Sequence, residues 1–478
     1  MSMQKRPGHP QSLAIVGGIV VSASSASPAS VLVRDGVVAA VLDPRTPLPA
    51  VEPPPRVVDA TGCYVLPGGV DPHVHVATSL GEYQTTDNYQ QASIAALIGG
   101  TTTLVDFAIP NPGVTPVEAA DERIAQSALS RCRVALHGCV TSTGRGDLDA
   151  QLAGLVGRGI RSVKLFTTYH DSFMATDEQV LAVLSFLRDS GGLTYVHAEW
   201  DPLVSHLQAA ARAGSGAGAG KLHEMRPAAA ELVAVRQVLA AAEAVSAPVY
   251  FVHLSVPAAV SEVGAGRAKG VSGFVETCPH YLFLSDTEYT TDRAADVVCC
   301  PPLRDRVLRE SLVKAVADGQ VHAIGSDHCC FTREQKRRHA DDVHQMPYGL
   351  PGVEVRVPLT IHELVVKGLV AWPRAVDLLA TMPARLNGLF PKKGTITVGS
   401  DADIVIIDPT RNQHGLTDRE LHMPTDVAPY ADHEPVAWPL WVIAEGVVVV
   451  EEGRFRDPGP GGGFLPSGPI ETRVGTTC

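Results

Sequence analysis

The chain is poor in charge and in aromatic rings: Asp, Glu, Lys and Arg make up 19% of its 478 residues, and Phe, Trp and Tyr 5%. Its charge has the wrong sign for a nucleic-acid surface, with 51 acidic residues against 39 Lys and Arg, a net of -12, and no basic stripe. No block of like charge occurs, which excludes acidic tails and basic arms. No apolar run approaches the ~20 residues of a membrane span; the N-terminal "LAIVGGIVV" stops at nine. Nine cysteines occur, none in C-x-x-C and none at zinc-finger spacing. We read them, including the adjacent pairs Cys299-Cys300 and Cys329-Cys330, as small reduced core residues of a cytoplasmic protein.

What is present is apolar bulk, 45% of residues, enough for one large domain and a smaller one. The succession "MSMQKRPGHP", "LAIVGGIVV" and "ASSASPAS" has the outline of an export signal. A strand from Leu13 to Val21 fits better, because "RDG" in "SVLVRDGVVAAVLD" marks a hairpin and the β pattern continues.

From about residue 64 to 325, β-rich runs alternate with helical ones. The strand candidates are "CYVLPGGVDPHVHV", "TTTLVDFAIP", "RVALHGCV", "SVKLFTTY", "LTYVHAEW", "PVYFVHLS", "SGFVETCPHYLFL" and "VHAIGSDHC". Eight such repeats predict an α/β fold, a closed (β/α)8 TIM barrel of parallel strands. We place the barrel at 66–390. The segments 1–65 and 391–456, β-rich and each too small for its own core, would form one β-sandwich domain. The glycine-rich loop 212–221 and the tail 457–478 read as flexible, the tail either disordered or packed on a neighbouring subunit.

Lys164 lies near the centre of "GIRSVKLFTTYH", residues 159–170, where a bare ammonium costs several kcal/mol. Other polar residues stand at strand ends: His73 and His75 on the first strand, His197 on the fifth, His253 on the sixth and Asp327 on the eighth. Barrel enzymes place their chemistry at that end, so these scattered residues converge. Residues two apart on a strand share a face, which lets His73 and His75 reach one ion. Four imidazoles and a carboxylate exceed what one tetrahedral zinc with an open position needs, so they suit two ions. A bridge is then required. Burial lowers a lysine's pKa and favours the neutral amine, which can take up carbon dioxide as a carbamate with two bridging oxygens.

These residues lie in motifs that together resemble the cyclic amidohydrolase group of the amidohydrolase superfamily, the dihydropyrimidinases and hydantoinases. The resemblance covers nearly the whole chain through "DATGCYVLPGGVDPHVHV", "AALIGGTTTLVDFAIP", "SVKLFTTY", "YVHAEW", "ETCPHYLFL", "CCPPLRD", "GSDHC", "GLPGVE" and "GTITVGSDADIVIID". It implies two zinc ions bridged by carboxylated Lys164, with His73, His75 and Asp327 on one and His197 and His253 on the other. It implies a homotetramer, Tyr169 as oxyanion donor, and Phe166 and Phe173 shaping the pocket for the ring substituent. Two positions depart from the group: Cys300 replaces a serine and Tyr348 an asparagine, at places where relatives hold the ring chiefly through main-chain groups.

The stretch after His75, "VATS", offers no cation to hold a carboxylate, as a dihydroorotase would need. "Thr86-Asp87-x-Tyr89" and Tyr169 side with dihydropyrimidinases and hydantoinases. The expected reaction opens a dihydropyrimidine or 5-substituted hydantoin to an N-carbamoyl amino acid by attack of metal-bound hydroxide, with Asp327 as general base and then acid. An allantoinase-like enzyme or cyclic-imide hydrolase is the nearest alternative. A non-catalytic scaffold relative is the alternative of another class, and the six intact ligand positions weigh against it.

Overall fold

The computed structural model describes residues 12–49, 54–170, 172–214, 216–410 and 421–472. The expectations for residues 1–11 and 473–478 therefore fall outside the described residues. Eight parallel strands follow one another around a barrel in chain order: β1 (Gly69–Val74), β2 (Thr101–Ala108), β3 (Arg133–Cys139), β4 (Ser162–Phe166), β5 (Leu193–His197), β6 (Val249–Phe251), β7 (Gly273–Thr277) and β8 (Ala323–Ile324). The segment after β8 closes the ring against β1. The Ser326 amide donates to Asp71 Oδ1 at 3.0 Å, and the His75 amide to the His328 carbonyl at 2.7 Å.

A parallel strand covered on both faces has no side left to solvent, and every residue of β2, its three threonines and Asp106 included, is buried. The connecting helices carry start and stop signals of their own. Helix Asp177–Ser190 opens on a Thr176–Gln179 capping box and ends at Gly191, φ 69°. Along β4, Val163 and Leu165 join the core shared with the helices, while Lys164 and Phe166 face the lumen.

Halfway down the lumen, Phe107, His137, Tyr195 and Tyr250 stack in succession, with ring centroids 4.5, 4.3 and 4.1 Å apart. Beneath them Val70, Val105 and Ala135 pack on Ala384, Leu389 and Leu465. The floor is thereby filled, so within the lumen the space for a ligand lies at the C-terminal ends of the strands.

The flanking segments form two further sheets. One has the order Val37–Leu42, Ser30–Arg34, Leu13–Val16, Arg56–Asp59. The other runs Arg454–Phe455, Val447–Glu451, Pro439–Ala444, Ile404–Ile407, Tyr64–Pro67, Ile19–Val21, Ala26–Pro28 and so joins both ends of the chain. Leu13, Ile15 and Val31 from the first sheet and Ile404, Ile406 and Ile443 from the second share one core.

The structure corrects four local expectations. The strand read from Leu13 to Val21 is two strands in different sheets, broken at Gly17 (φ 78°), where a Cβ would lie 2.4 Å from Thr61 Oγ1. "CYVLPGGVDPHVHV" is likewise two strands, parted at Gly68, where a Cβ would lie 2.2 Å from Thr102 Oγ1. Tail residues 457–472 pack on the chain's own barrel, because Leu465 and Ile470 find apolar partners under its floor. The Leu465 amide bonds to Val134 at 2.8 Å and the Ile470 amide to Gly191 at 3.0 Å. The glycine-rich loop is tied down where Ala219 donates to Ala340 at 2.9 Å and Val343 to Ala217 at 2.8 Å. Among the described residues, no helix is long and apolar enough to cross a membrane.

Candidate metal centre and substrate cavity

All eleven residues singled out from the sequence line one cavity of about 460 Å³ at the C-terminal mouth of the barrel. His73, His75, Lys164, His197, His253 and Asp327 make its base. Phe166, Tyr169, Phe173, Cys300 and Tyr348 stand on its walls. None is displaced to another part of the molecule.

The base divides into two groups. His73 Nε2 lies 3.0 Å and His75 Nε2 3.4 Å from Asp327 Oδ1, with 3.3 Å between the two imidazole nitrogens. These three atoms converge closely enough to hold one cation. His197 Nδ1 and His253 Nε2 approach to 3.0 Å and form the second group. Lys164 is 1% exposed, and among the described residues no carboxylate lies within ion-pair distance of it. Its Nζ sits over the rings of Phe107 and Phe166 at 4.9 and 5.1 Å. Burial lowers its pKa to about 8 against the opposing pull of Asp327 and Glu276. Burial, the largest single influence, works to raise the Asp327 carboxyl, but His73, His75 and His253 together outweigh it and hold Asp327 well below the ordinary range. Burial keeps His197 and His253 below the usual histidine value, in the neutral form a ligand requires.

Two glutamates that sequence reading missed aim these imidazoles. Glu276 Oε1 accepts from His73 Nδ1 at 2.7 Å and from the His253 amide at 3.1 Å, while Oε2 accepts from Tyr250 at 2.8 Å. This fixes His73 with Nε2 toward the cavity. Glu199 Oε2 meets His197 Nε2 at 2.7 Å and turns Nδ1 inward. Behind Glu199 stands the buried Arg226, paired with it and lying 4.8 Å from the Tyr169 ring centroid and 5.8 Å from that of Tyr348. The signal for both glutamates was a charge on an apolar strand or at its end, in "YVHAEW" and "SGFVETC". That is the same signal that exposed Lys164.

Tyr169, His253 and Asp327 have φ of 69°, 39° and 47°, three of the eight positive values at described non-glycine residues. Such conformations persist only where neighbours enforce them. For Tyr169 the enforcer is Asp201, whose Oδ1 accepts from the Tyr169 amide and the Thr168 hydroxyl, both at 2.9 Å. Burial, and then Cys300, raise the Tyr169 phenol well above its normal pKa, so it is a proton-bearing donor. For Asp327 the neighbour is His328, held between the Gly352 amide at 3.1 Å and Asp87 at 2.9 Å. The "Thr86-Asp87-x-Tyr89" stretch thus works under the site: Tyr89 donates to Asp106, which in turn accepts from the Phe107 amide at 2.8 Å. Tyr348, the bulky departure, does point into the cavity, stacked against Arg226. Leu80 and Tyr83, from the hairpin Ser79–Leu80 and Tyr83–Gln84, lean over the mouth; they too were not foreseen.

Comparison with known proteins places this geometry. Residues 64–449 match the amidohydrolase family. The chain is 35% identical to D-hydantoinase from Streptomyces coelicolor over 461 residues, covering 95% of this chain and 97% of that protein. It is 34% identical to D-hydantoinase from Geobacillus stearothermophilus over 449 residues, with 92% and 93% covered. The crystal structure of dihydropyrimidinase from Brevibacillus agri NCHU1002 superimposes with a TM-score of 0.91 at 33% identity, covering 96% of this chain and 99% of that one.

Proposed function

Because the chain belongs to the amidohydrolase family, we propose that it opens a dihydropyrimidine or 5-substituted hydantoin ring to an N-carbamoyl amino acid. Hydrolysis of a cyclic amide is the activity its relatives share by name. The observation that carries the proposal is the meeting, at one cavity, of six ligand-type side chains and a protonated phenol.

The site fits a pair of divalent ions, zinc by its donor set. Two pairs of imidazole nitrogens converge, His73 Nε2 with His75 Nε2 at 3.3 Å and His197 Nδ1 with His253 Nε2 at 3.0 Å, and Lys164 is buried without a counter-ion among the described residues. His73, His75 and Asp327 would hold one ion and His197 and His253 the other, with carboxylated Lys164 between them. Such a pair lowers the pKa of water and polarises the ring carbonyl.

The chain's own groups do the rest. Tyr169 donates a hydrogen bond to the carbonyl oxygen as negative charge develops there. Asp327, kept ionised, takes the proton from the attacking water and passes it to the ring nitrogen as the carbon–nitrogen bond breaks. Water's hydroxyl thus ends on carbon and its proton on nitrogen. Phe166 and Phe173, with centroids 5.6 Å apart, offer an apolar wall to the ring substituent. A homotetramer and a cytoplasmic location complete the reading. The family resemblance supports the first, and the burial of all eight described cysteines as small core residues supports the second.

The test is release of carbamoyl acids from a panel of dihydropyrimidines, hydantoins and cyclic imides, with and without chelator. Intact-mass measurement of native protein should show one added carbon dioxide per chain. Turnover undiminished after complete metal removal would refute the proposal.

A further inference from the structure

We propose that Lys336 is a positioning residue for substrate binding, whose ammonium fastens together the two wall segments 298–300 and 347–349. The inference rests on the reading above, in which these segments, bearing Cys300 and Tyr348, bind the ring. Lys336 lies in the short helix Arg333–Arg337, which Thr332 and Gln335 cap. It is wholly buried, yet among the described residues no carboxylate pairs with it. Its Nζ instead donates to the carbonyls of Val298 at 2.8 Å, Gly349 at 2.8 Å and Pro347 at 3.4 Å.

An ammonium has three N–H donors and no acceptor, so three converging carbonyls use it fully. Burying a cation costs several kcal/mol unless it is so satisfied, and a fold that only needed filling at this point would use an apolar side chain. Between the two segments themselves, one backbone bond is made, from the Gly349 amide to the Val298 carbonyl at 3.1 Å. The lysine adds three more across the same seam. Gly349 also packs closely on Cys329, outside both segments, where a Cβ would lie 2.6 Å from Cys329 Cβ. Cys300, Pro347, Tyr348 and Gly349 line the cavity, whereas Lys336 does not. It therefore acts through the walls and touches no substrate.

The experiment compares KM and kcat of Lys336→Met and Lys336→Gln with wild type, on a ring the wild type opens, together with metal content and thermal midpoint. Displacing a binding wall by a fraction of an ångström to one ångström costs roughly tenfold to a hundredfold. We expect Lys336→Met to raise KM by that factor, with kcat within about threefold and metal content unchanged; Lys336→Gln, with two donors, should fall between. Unchanged KM in a folded, metal-loaded variant overturns the proposal, as does loss of kcat and metal together without a rise in KM. If Lys336→Met does not fold, Lys336→Gln decides by the same criteria, and failure of both to fold reduces Lys336 to a structural role. Absence of ring opening by wild type would instead strike the proposed function, so the two failures are distinct.

Discussion

Glu276 offers the sharpest perturbation of the proposed metal centre, because it does not line the cavity and yet serves three groups. Its Oε1 accepts from His73 Nδ1 and the His253 amide, and its Oε2 from the Tyr250 hydroxyl. Glu276→Gln is nearly isosteric. The amide oxygen can keep both bonds on the Oε1 side, and the Tyr250 hydroxyl can rotate to accept from the new NH2. What is lost is the negative charge that makes His73 a stronger ligand. Removing such an outer partner costs about 10- to 100-fold in metal affinity, about 1.4 to 2.7 kcal/mol. Glu276→Ala is a different change: it strands three donors in the interior at roughly 1–3 kcal/mol each, enough to unfold many domains outright. Activity should therefore be followed as free metal is buffered by a competing chelator, for wild type and Glu276→Gln. The expected result is a curve shifted to 10- to 100-fold higher free metal, with near-normal kcat at saturation. Coincident curves would refute the assignment of Glu276 as the support of His73.

Three further outcomes are expected. Tyr169→Phe should lower kcat by roughly 10²- to 10³-fold, as loss of one oxyanion donor does, with metal content intact; unchanged kcat would move the donor elsewhere. Lys393, whose Nζ lies 2.7 Å from Asp403 and 2.9 Å from Asp401, should cost about 3–5 kcal/mol of stability when changed to Met, read by denaturant unfolding. Burial opposes ionisation of Glu199, but Arg226 and His197 overcome it and hold its pKa at about 2, below the free value of 4.5. That difference is worth about 3 kcal/mol. Because the folded pKa is the lower, this stability is present above pH 4.5 and is lost as pH falls toward 2; a Glu199→Gln variant should lack that part of the acid slope.

The barrel was legible because its strands are apolar runs of the right length between helical repeats, and no tertiary information is needed to see that alternation. The six ligand-type residues were legible for a related reason: a histidine, lysine or aspartate at the end of an apolar strand is out of place unless something holds it. Glu199 and Glu276 carry the same mark, but their partners are chosen by which strand lies beside which, across separations such as the 203 residues from His73 to Glu276. Arg226 and Lys336 left less trace, since a cation in or beside a helix is usually solvated. Only packing shows that these are buried. The glycine breaks at Gly17 and Gly68 escaped detection because the apolar pattern runs on through them, and the close approach of Thr61 and Thr102 that leaves no room for a side chain there exists only in the fold.

The linear order of residues settled the class of fold, the ligand-type side chains and the strand ends on which they stand, because hydrophobic periodicity and misplaced polar groups are local properties. Closure of the barrel decided the remainder: which nitrogen of each histidine faces the cavity, which carboxylate supports it, and how the terminal tail seals the floor. Those are matters of distance between strands far apart in the chain, and no local pattern encodes a distance.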